Sequence, residues 1–157
     1  CKIEYIKESK SLGTAGSIAN IPREITKPMI VMNGDILTKL SFTALLDFHN
    51  DSNSDFTTCI RQIELSIPFG VVKAEEQKLI SIVEKPSQKY NINAGIYILN
   101  PSVISYLQKD QKIDMPELLN LLINKKKNVS VFPIHEYWID IGRKGDLKQA
   151  EIDHRVI

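Results

Sequence analysis

The chain has 157 residues with 20 basic and 19 acidic side chains, a balance that argues against a nucleic-acid-binding surface, which needs a basic excess. Hydrophobic residues make up 43% of the chain, which is ordinary for a globular domain with a buried core. No apolar run approaches the roughly 18 residues of a membrane helix, and two cysteines, Cys1 and Cys59, are too few for a disulfide scaffold. These features predict one domain, residues 1–157, in a reducing, cytoplasmic compartment with neither nucleic acid nor membrane as partner.

The first third of the chain alternates apolar runs with glycine and proline turns. Residues 2–7 have a strand-like pattern, and residues 12–21 (LGTAGSIANI) predict a glycine-containing turn that leads into a short helix. The apolar run at residues 29–33 is bounded by Pro28 and Gly34, which is typical of a short strand covered on both faces.

The middle of the chain predicts a helix followed by strands. Ser41 is a suitable N-cap for a helix in which Phe42, Leu45, Leu46 and His49 fall on one face. Strands rich in β-branched residues are then predicted at residues 56–61, 70–74, 79–84 and 93–99.

The last third contains the best-marked helix, residues 114–127 (DMPELLNLLINKKK). Asp114 and Glu117 form a capping box at its start. Lysines 125–127 stand at its end, where the helix dipole favours cations; a solvated helix end is the first interpretation, with membrane or nucleic-acid contact as the alternative. The other predicted elements are a short helix at residues 101–107, strands at 129–133 and 137–141, and a closing helix at 148–154. This alternation predicts an α/β fold with a largely parallel sheet, whose ligands bind beyond the carboxyl ends of the strands.

Two aspartates share one context. Asp35 follows the apolar segment MIVMNG, and Asp140 ends YWID just before Ile141 and Gly142. Two carboxylates that converge from the ends of separate strands would suit a hard cation such as Mg²⁺, which is usually held by one or two carboxylates together with phosphate oxygens and water. The alternative at this stage is that each is an ordinary strand-end residue.

The other polar candidates are weaker when taken singly. Lys85, held before Pro86 in the segment VEKP, would be a point-charge ligand for phosphate or an ordinary surface lysine. The glycines at 13 and 16 match neither a dinucleotide-binding fingerprint nor a P-loop. No arrangement of serine or cysteine with histidine indicates a nucleophile, and Cys59, within a predicted strand, is interpreted as a small core residue.

Six segments together resemble the sugar-phosphate nucleotidyltransferases in order and approximate spacing: LGTAGS, VMNGDIL, FGVV, VEKP, NAGIYIL and YWIDIG. Members of that family couple a nucleoside triphosphate to a sugar 1-phosphate and release pyrophosphate. The segment VFPIHEYWIDIGR most resembles the bacterial branch in which a pair of CBS domains precedes the transferase, which is associated with guanylyl or other nucleotidyl transfer to mannose or aminosugar 1-phosphates for surface glycans. The resemblance implies the nucleotide-diphospho-sugar transferase fold, a Rossmann-like, mostly parallel sheet flanked by helices, with GTP as the first-choice donor.

The resemblance also implies a role for individual residues. Asp35 and Asp140 match the two Mg²⁺-binding aspartates, and Lys85 matches the lysine that holds the sugar phosphate. Catalysis would then consist of positioning and charge neutralisation without a protein nucleophile. The remaining matches are substrate-binding positions: Leu12, Gly13 and Thr14 around the nucleobase, Gly34 where the backbone leaves room for a ligand, and Gly70, Glu84, Asn93, Ala94 and Gly95 around the sugar.

One part of the family pattern does not occur in this sequence, namely a glycine-rich loop with an arginine followed by a Pro-Lys-Pro segment. The resemblance therefore predicts a partial domain, the C-terminal two-thirds of a transferase, that lacks the N-terminal strands and is inactive alone. Substantial pyrophosphate release by the chain alone would contradict this prediction. It also predicts an unpaired strand edge at residues 29–33, which could join copies into a homo-oligomer.

Two other classes of function remain open at this stage. A non-catalytic module that binds or senses nucleotide sugars would keep the same fold and bind nucleotide without turnover. A metal-dependent glycosyltransferase of related fold usually has an Asp-x-Asp motif, whereas Asp35 is followed by Ile36 and Leu37, so this alternative is disfavoured.

Overall fold

The computed structural model describes residues 2–22, 24–142 and 144–156, with the side chains at 144, 149 and 154–156 also left undescribed. Its centre is a four-stranded sheet of order β1-β6-β3-β7, with two separate two-stranded ribbons, β2–β8 and β4–β5. The sheet strands are β1 (Met29–Met32), β3 (Phe56–Ser66), β6 (Ser87–Leu99) and β7 (Val129–Pro133). The ribbon strands are β2 (Ile36–Thr38), β4 (Val71–Glu75), β5 (Lys78–Val83) and β8 (Trp138–Asp140).

Among the described residues, four α-helices accompany the sheet: α1 (Gly13–Gly16), α2 (Phe42–Asp51), α3 (Met115–Asn124) and α4 (Lys144–Val156). Two 3-10 helices, Ser17–Asn20 and Pro101–Tyr106, complete them. The strand predicted at residues 2–7 is wrong, because this segment has no regular secondary structure. Within the described residues, none of the helices has the length and apolar character needed to cross a bilayer.

The α/β class is confirmed, but the expectation of a mostly parallel sheet needs a correction. Strand β6 lies between β1 and β3 and is antiparallel to both, so β3–β7 is the sole parallel pair of neighbours in the described sheet. β1, β3 and β7 do share one direction. β6 is reversed because β3 reaches it through the β4–β5 hairpin, and a hairpin joins antiparallel strands. As predicted, β1 is an edge strand among the described residues.

Two apolar clusters cover the two faces of this sheet. Because successive side chains of a strand alternate between faces, Tyr97 and Leu99 of β6 contribute to one cluster, and Ile96 and Ile98 contribute to the other. The first cluster packs against α1 and α3 through side chains that include Ala15, Leu118 and Leu122. The second packs against α2 and the β2–β8 ribbon through Leu45, Ile36 and Leu40. The sheet is therefore buried on both faces, as the apolar strand sequences predict.

Both predicted helix caps are confirmed. The hydroxyl of Ser41 accepts a hydrogen bond from the Ala44 N–H at 3.2 Å, and α3 begins with the Asp114–Glu117 capping box, in which the Glu117 carboxylate accepts from the Asp114 N–H at 2.8 Å. At the other end of α3, the Lys127 ammonium lies 3.5 Å from an Asp55 carboxylate oxygen. The two caps fix where α2 and α3 begin, and the ion pair joins the end of α3 to the residue before β3.

The thiol of Cys59 belongs to the core, as predicted from the sequence. It is fully buried on β3, and burial, with a smaller contribution from the charge of Glu136, raises its pKa from 9.0 to about 12. A raised acid pKa means that the unfolded chain ionises first, so the stability that this thiol contributes is complete below pH 9 and declines as the pH rises toward 12.

We therefore expect the wild-type chain to lose about 1 kcal/mol of unfolding free energy between pH 9 and pH 10 relative to a Cys59→Ala variant measured in parallel. Urea unfolding followed by circular dichroism at the two pH values checks this result. An identical pH dependence in the two proteins would show that the thiol of the folded chain ionises normally.

Beyond the four-stranded sheet, β3 and β6 continue as a two-stranded projection, residues 61–92, which we call the arm. Strand β7 stops pairing with β3 at Ile60, and the arm then continues through the Ser66–Ser87 pair into the β4–β5 hairpin. Backbone hydrogen bonds across the join, including Lys85 N–H to the Phe69 carbonyl at 3.3 Å, keep the two chains of the arm together. Nearly every residue from 64 to 91 is exposed.

Candidate active site

Asp35 and Asp140 come together at one end of the sheet, beside Gly142. A Cβ atom built on Gly142 would lie 3.0 Å from Asp140 Oδ1 and 3.5 Å from Asp35 Oδ2. The two carboxylates therefore converge on one small volume, which the absence of a side chain at Gly142 leaves open. This convergence is the central feature of the site.

Backbone pairing positions the two aspartates. Ribbon β2–β8 pairs Ile36 with Asp140, and the Ile141 N–H donates to the Asp35 carbonyl at 2.8 Å. The Gly142 N–H donates to Asp140 Oδ1 at 2.8 Å, which fixes the orientation of that carboxylate. Because Ile36 is buried in the core, the ribbon that carries both carboxylates is anchored to the sheet.

A bulge in β6 builds the neighbouring wall of the site. The pairing of β3 with β6 shifts between Thr58 and Ile60, opposite the Ala94–Gly95 segment. Gly95 has a φ of +70°, which favours glycine, and its carbonyl accepts from the Asn33 N–H at 2.9 Å. The bulge thus brings the backbone of β6 directly beside the turn that leads to Asp35.

Both amide atoms of the Asn93 side chain form hydrogen bonds that stabilise this bulge. Its amide oxygen accepts from the Gly95 N–H at 3.0 Å, and its amide nitrogen donates to the Tyr97 hydroxyl at 2.8 Å. Next to it, the carbonyl of the fully buried Ala94 accepts from the Trp138 indole N–H at 2.8 Å. Since Trp138 begins β8, this bond couples the bulge to the strand that ends at Asp140.

A second group of predicted residues lies on the arm. A Cβ on Gly70 would lie 3.1 Å from Glu84 Oε2, so Gly70 and Glu84 are neighbours across the base of the hairpin. Lys85 is exposed and has a φ of +45°, a left-handed conformation that costs a non-glycine residue on the order of 1–2 kcal/mol. In the described part of the chain, no hydrogen bond or ion pair links Glu84 or Lys85 to the aspartate pair.

The segment Leu12–Thr14 is held against the start of α3. Gly13 has a φ of +77°, and a Cβ there would lie 2.6 Å from both Asp114 Oδ1 and the Ile113 carbonyl oxygen. The Thr14 N–H donates to Asp114 Oδ1 at 2.9 Å, while the Thr14 hydroxyl accepts from the Met115 N–H at 2.8 Å. These contacts explain the glycine and threonine by packing, and their contact with a nucleobase stays a prediction.

The structure thus divides the predicted site residues into three groups. Asp35 and Asp140 form the carboxylate pair, with Gly34 in the adjoining turn and Asn93, Ala94 and Gly95 in the β6 bulge beside that turn; Gly70, Glu84 and Lys85 lie on the arm, and Leu12, Gly13 and Thr14 pack on α3. Residues that the sequence interpretation left out of the site are Asn33, Trp138 and Gly142. The glycine near each aspartate, Gly34 before Asp35 and Gly142 after Asp140, was the available signal for Gly142, whereas Asn33 and Trp138 needed the β6 bulge to be known.

The described residues contain no cluster of three or more histidine, cysteine or acidic side chains that could hold a metal ion without other ligands. A pair of carboxylates fits a different kind of site. Mg²⁺ is characteristically held by one or two carboxylates, with water and substrate phosphates completing the octahedron. At Gly34, next to Asp35, a Cβ would meet nothing within 4 Å, so the turn is open on that side.

Comparison with known proteins gives consistent results. A probable mannose-1-phosphate guanylyltransferase of Arabidopsis thaliana is 29% identical over 153 residues, which cover 92% of this chain and 46% of that protein. A mannose-1-phosphate guanyltransferase of Debaryomyces hansenii is 32% identical, covering 96% of this chain and 43% of that protein. The chain therefore spans less than half the length of these curated relatives.

Solved structures resemble the chain in fold. HddC from Yersinia pseudotuberculosis, crystallised with GMP-PN, superposes with a TM-score of 0.68 at 27% identity, over 95% of this chain and 65% of that one. A putative glucose-1-phosphate thymidylyltransferase from Bacillus anthracis gives a TM-score of 0.69 at 20% identity, a likeness of fold alone. The family model described as nucleotidyl transferase matches residues 1–155. Because that match spans almost the entire chain and agrees with the α/β architecture, the chain belongs to the nucleotidyl transferase family.

Proposed function

We propose that this chain carries the metal- and sugar-phosphate-binding part of an enzyme that transfers a nucleotidyl group from a nucleoside triphosphate to a sugar 1-phosphate, releasing pyrophosphate. The observation that carries the proposal is the convergence of Asp35 and Asp140 on one volume beside Gly142. Nucleotidyl transfer brings several anionic phosphate oxygens together, and a carboxylate pair with a divalent cation neutralises them.

In this proposal the residues of the chain bind and orient. Asp35 and Asp140 would hold Mg²⁺, which supplies positive charge to the phosphate oxygens when bound. Lys85 would supply a further positive charge to the sugar phosphate, and Glu84 with the backbone of Gly70 would accept or donate hydrogen bonds to the sugar. An attacking sugar phosphate oxygen is already anionic, so this reaction needs positioning more than it needs a general base.

The donor and acceptor are proposed from the names of the relatives. Several are called mannose-1-phosphate guanylyltransferases, so GTP with mannose 1-phosphate is the first substrate pair to assay, followed by aminosugar 1-phosphates. A thymidylyltransferase among the structural neighbours makes dTTP with glucose 1-phosphate the second pair. A role in making surface-glycan precursors in the cytoplasm is part of the same proposal.

The test measures pyrophosphate release by the complete gene product for each substrate pair with MgCl₂ and with EDTA. We expect turnover with one pair that EDTA abolishes. If turnover is absent, isothermal titration with GTP and MgCl₂ distinguishes a nucleotide-binding module, which binds without reacting, from a protein of another function, which does not bind. Metal-independent turnover would contradict the role given to the carboxylate pair.

Replacing Lys85 with glycine tests the backbone strain at this position and the proposed binding role of the ammonium as two separate quantities. Glycine adopts a φ of +45° without penalty, so Lys85→Gly is expected to leave the unfolding free energy unchanged or raise it by up to about 1 kcal/mol. The same variant should weaken sugar 1-phosphate binding by roughly 10-fold or more, because it removes a charge-assisted contact. Urea unfolding and titration with the sugar 1-phosphate measure the two effects.

The matched control is Glu76→Gly, at a turn residue with a φ of +53°. It relieves comparable backbone strain and should leave substrate binding unchanged. Equal binding by wild type and Lys85→Gly would contradict the role of Lys85.

We also propose that the open edge of β1 forms a contact between copies. The Asn33 N–H bonds to the Gly95 carbonyl, and the antiparallel alternation then directs the backbone groups of Ile30 and Met32 away from β6. These outward groups could pair with a strand from a second molecule. An Ile30→Pro variant, which removes an outward N–H while keeping the pairing with β6, would weaken such an association.

A further inference from the structure

Two consecutive carbonyl groups of the β6 bulge hold the two segments that carry the aspartates. The Ala94 carbonyl accepts from the Trp138 indole N–H at 2.8 Å, and the Gly95 carbonyl accepts from the Asn33 backbone N–H at 2.9 Å. Each donor residue lies two positions before an aspartate of the carboxylate pair. One short piece of backbone therefore contacts both aspartate-bearing segments at equivalent positions.

The bulge is a firm support for these two contacts. Ala94 is fully buried, and the Gly95 N–H is held by the Asn93 amide oxygen at 3.0 Å. Because the two accepting carbonyls belong to adjacent residues, their separation is set by a few backbone angles. The separation of the donors Asn33 and Trp138 is restrained in turn, since each stays within hydrogen-bond reach of its own carbonyl.

Trp138 transmits the position of the bulge to Asp140 along strand β8. Alternate residues of a strand lie on the same side, so Trp138 and Asp140 share one side of β8. The ladder between β2 and β8 pairs Ile36 with Asp140, but two-stranded ribbons twist more strongly than wider sheets. The indole bond to the Ala94 carbonyl comes from outside the ribbon and therefore adds a restraint on its twist that the ladder does not supply.

We propose that Trp138 is a positioning residue that fixes Asp140 relative to Asp35 and so makes the carboxylate pair selective for Mg²⁺ over Ca²⁺. This inference rests on the metal site of the proposed function and adds its selectivity. Mg²⁺ requires near-ideal octahedral geometry with oxygen ligands at about 2.0–2.1 Å, whereas Ca²⁺ accepts flexible geometry at about 2.3–2.6 Å. Carboxylates held in one arrangement favour the ion with the stricter geometry, and carboxylates that are free to move lose that preference.

The test compares cation affinities when the indole N–H is removed. In the complete gene product, Mg²⁺ and Ca²⁺ compete with Mn²⁺, whose free form gives an electron paramagnetic resonance signal. We expect Trp138→Phe to weaken Mg²⁺ binding by roughly 10-fold, as does the loss of a partner that orients a metal ligand, and Ca²⁺ binding by no more than about 2-fold. The ratio of the two affinities then falls by about 5-fold.

A tryptophan analogue separates the hydrogen bond from the shape of the ring. Benzothienylalanine carries sulfur in place of the indole N–H, so at position 138 it fills the same space without donating to the Ala94 carbonyl. We expect the same loss of Mg²⁺ selectivity as in Trp138→Phe. The urea midpoint of unfolding should be closer to that of wild type, because the analogue leaves no cavity.

The matched control is Tyr137→Phe, at the residue before Trp138. It also removes one side-chain donor, because the Tyr137 hydroxyl donates to Asp153 Oδ2 at 2.8 Å, but this bond leads to α4 and not to the bulge. Tyr137→Phe should lower the urea midpoint while keeping the wild-type ratio of Mg²⁺ to Ca²⁺ affinity. An equal fall of the ratio in Tyr137→Phe and Trp138→Phe would indicate a general loosening of the ribbon and would overturn the proposal.

The variant Asp140→Asn distinguishes failure of this inference from failure of the proposed function. If Asp140→Asn leaves Mn²⁺ binding at the wild-type level, the metal site is wrong and both proposals fail. If Asp140→Asn weakens Mn²⁺ binding but the analogue at position 138 keeps the wild-type affinity ratio, only the role of Trp138 is overturned. Weaker Mn²⁺ binding in Asp140→Asn together with a lowered ratio for the analogue supports both.

Discussion

Replacing Gly95 with alanine is expected to lower the free energy of unfolding by about 2–4 kcal/mol, from left-handed backbone strain together with overpacking. Gly95 has a φ of +70°, and an added Cβ would lie 2.8 Å from Asn33 Nδ2, closer than side-chain atoms approach in real structures. To relieve that contact, the Asn33 side chain or the β6 bulge must move. Urea unfolding followed by circular dichroism measures the loss.

The matched control is Gly34→Ala, one residue beyond Asn33. A Cβ on Gly34 would meet nothing within 4 Å, so the same chemical change should alter stability by no more than about 0.5 kcal/mol. If the space above Gly34 is where phosphate or sugar binds, Gly34→Ala should weaken substrate binding while the fold stays intact. Equal destabilisation by the two alanines would show that the bulge tolerates a side chain and does not position the turn.

The sequence predicts some parts of this fold better than others. The Ser41 cap and the capping box of α3 were predicted well because they rest on contacts a few residues apart. The strand at Met29–Met32 was also predicted, from its apolar run between Pro28 and Gly34, but its pairing partner in β6 is distant in the sequence. The reversed direction of β6 was not predicted, because the short strands β4 and β5 carry no pattern that distinguishes a hairpin from two sheet strands. At residues 2–7 the error was to predict a strand that is not formed. The segment alternates apolar and polar residues, but it pairs with no other strand.

The same distinction applies to the site. The position of Asp35 and Asp140 at the ends of apolar strands beside glycines suggested a metal site but left ordinary strand-end residues as the alternative, and the family resemblance favoured the pair. The structure brings the two carboxylates together. Long-range bonds that join β6 to the turn and to β8, such as the Trp138 indole to the Ala94 carbonyl, leave no mark in the local sequence. The resemblance to nucleotidyltransferases grouped Asn93 with sugar-binding residues, whereas the structure gives both of its amide atoms partners within the bulge.

The carboxylate pair gives the largest expected effect on ligand binding. Asp35→Asn and Asp140→Asn should each reduce Mg²⁺-dependent binding of GTP, measured by titration calorimetry, by roughly 100-fold or more, because each removes one of two anionic ligands. Neither should lower the stability of the metal-free chain. Two carboxylates that converge beside Gly142 repel each other, and an amide at position 140 keeps the oxygen that accepts from the Gly142 N–H.

Weaker ligand binding without a loss of stability distinguishes a metal ligand from a structural residue. If Asp35 and Asp140 were only structural residues at strand ends, changing either to asparagine would lower the free energy of unfolding and would leave the response to MgCl₂ unaltered. Asp47→Asn, which removes the same charge from an exposed position on α2, controls for net charge and should change neither quantity. Full Mg²⁺-dependent binding by both site variants would contradict a metal site at this pair and leave the convergence of the carboxylates without a catalytic purpose.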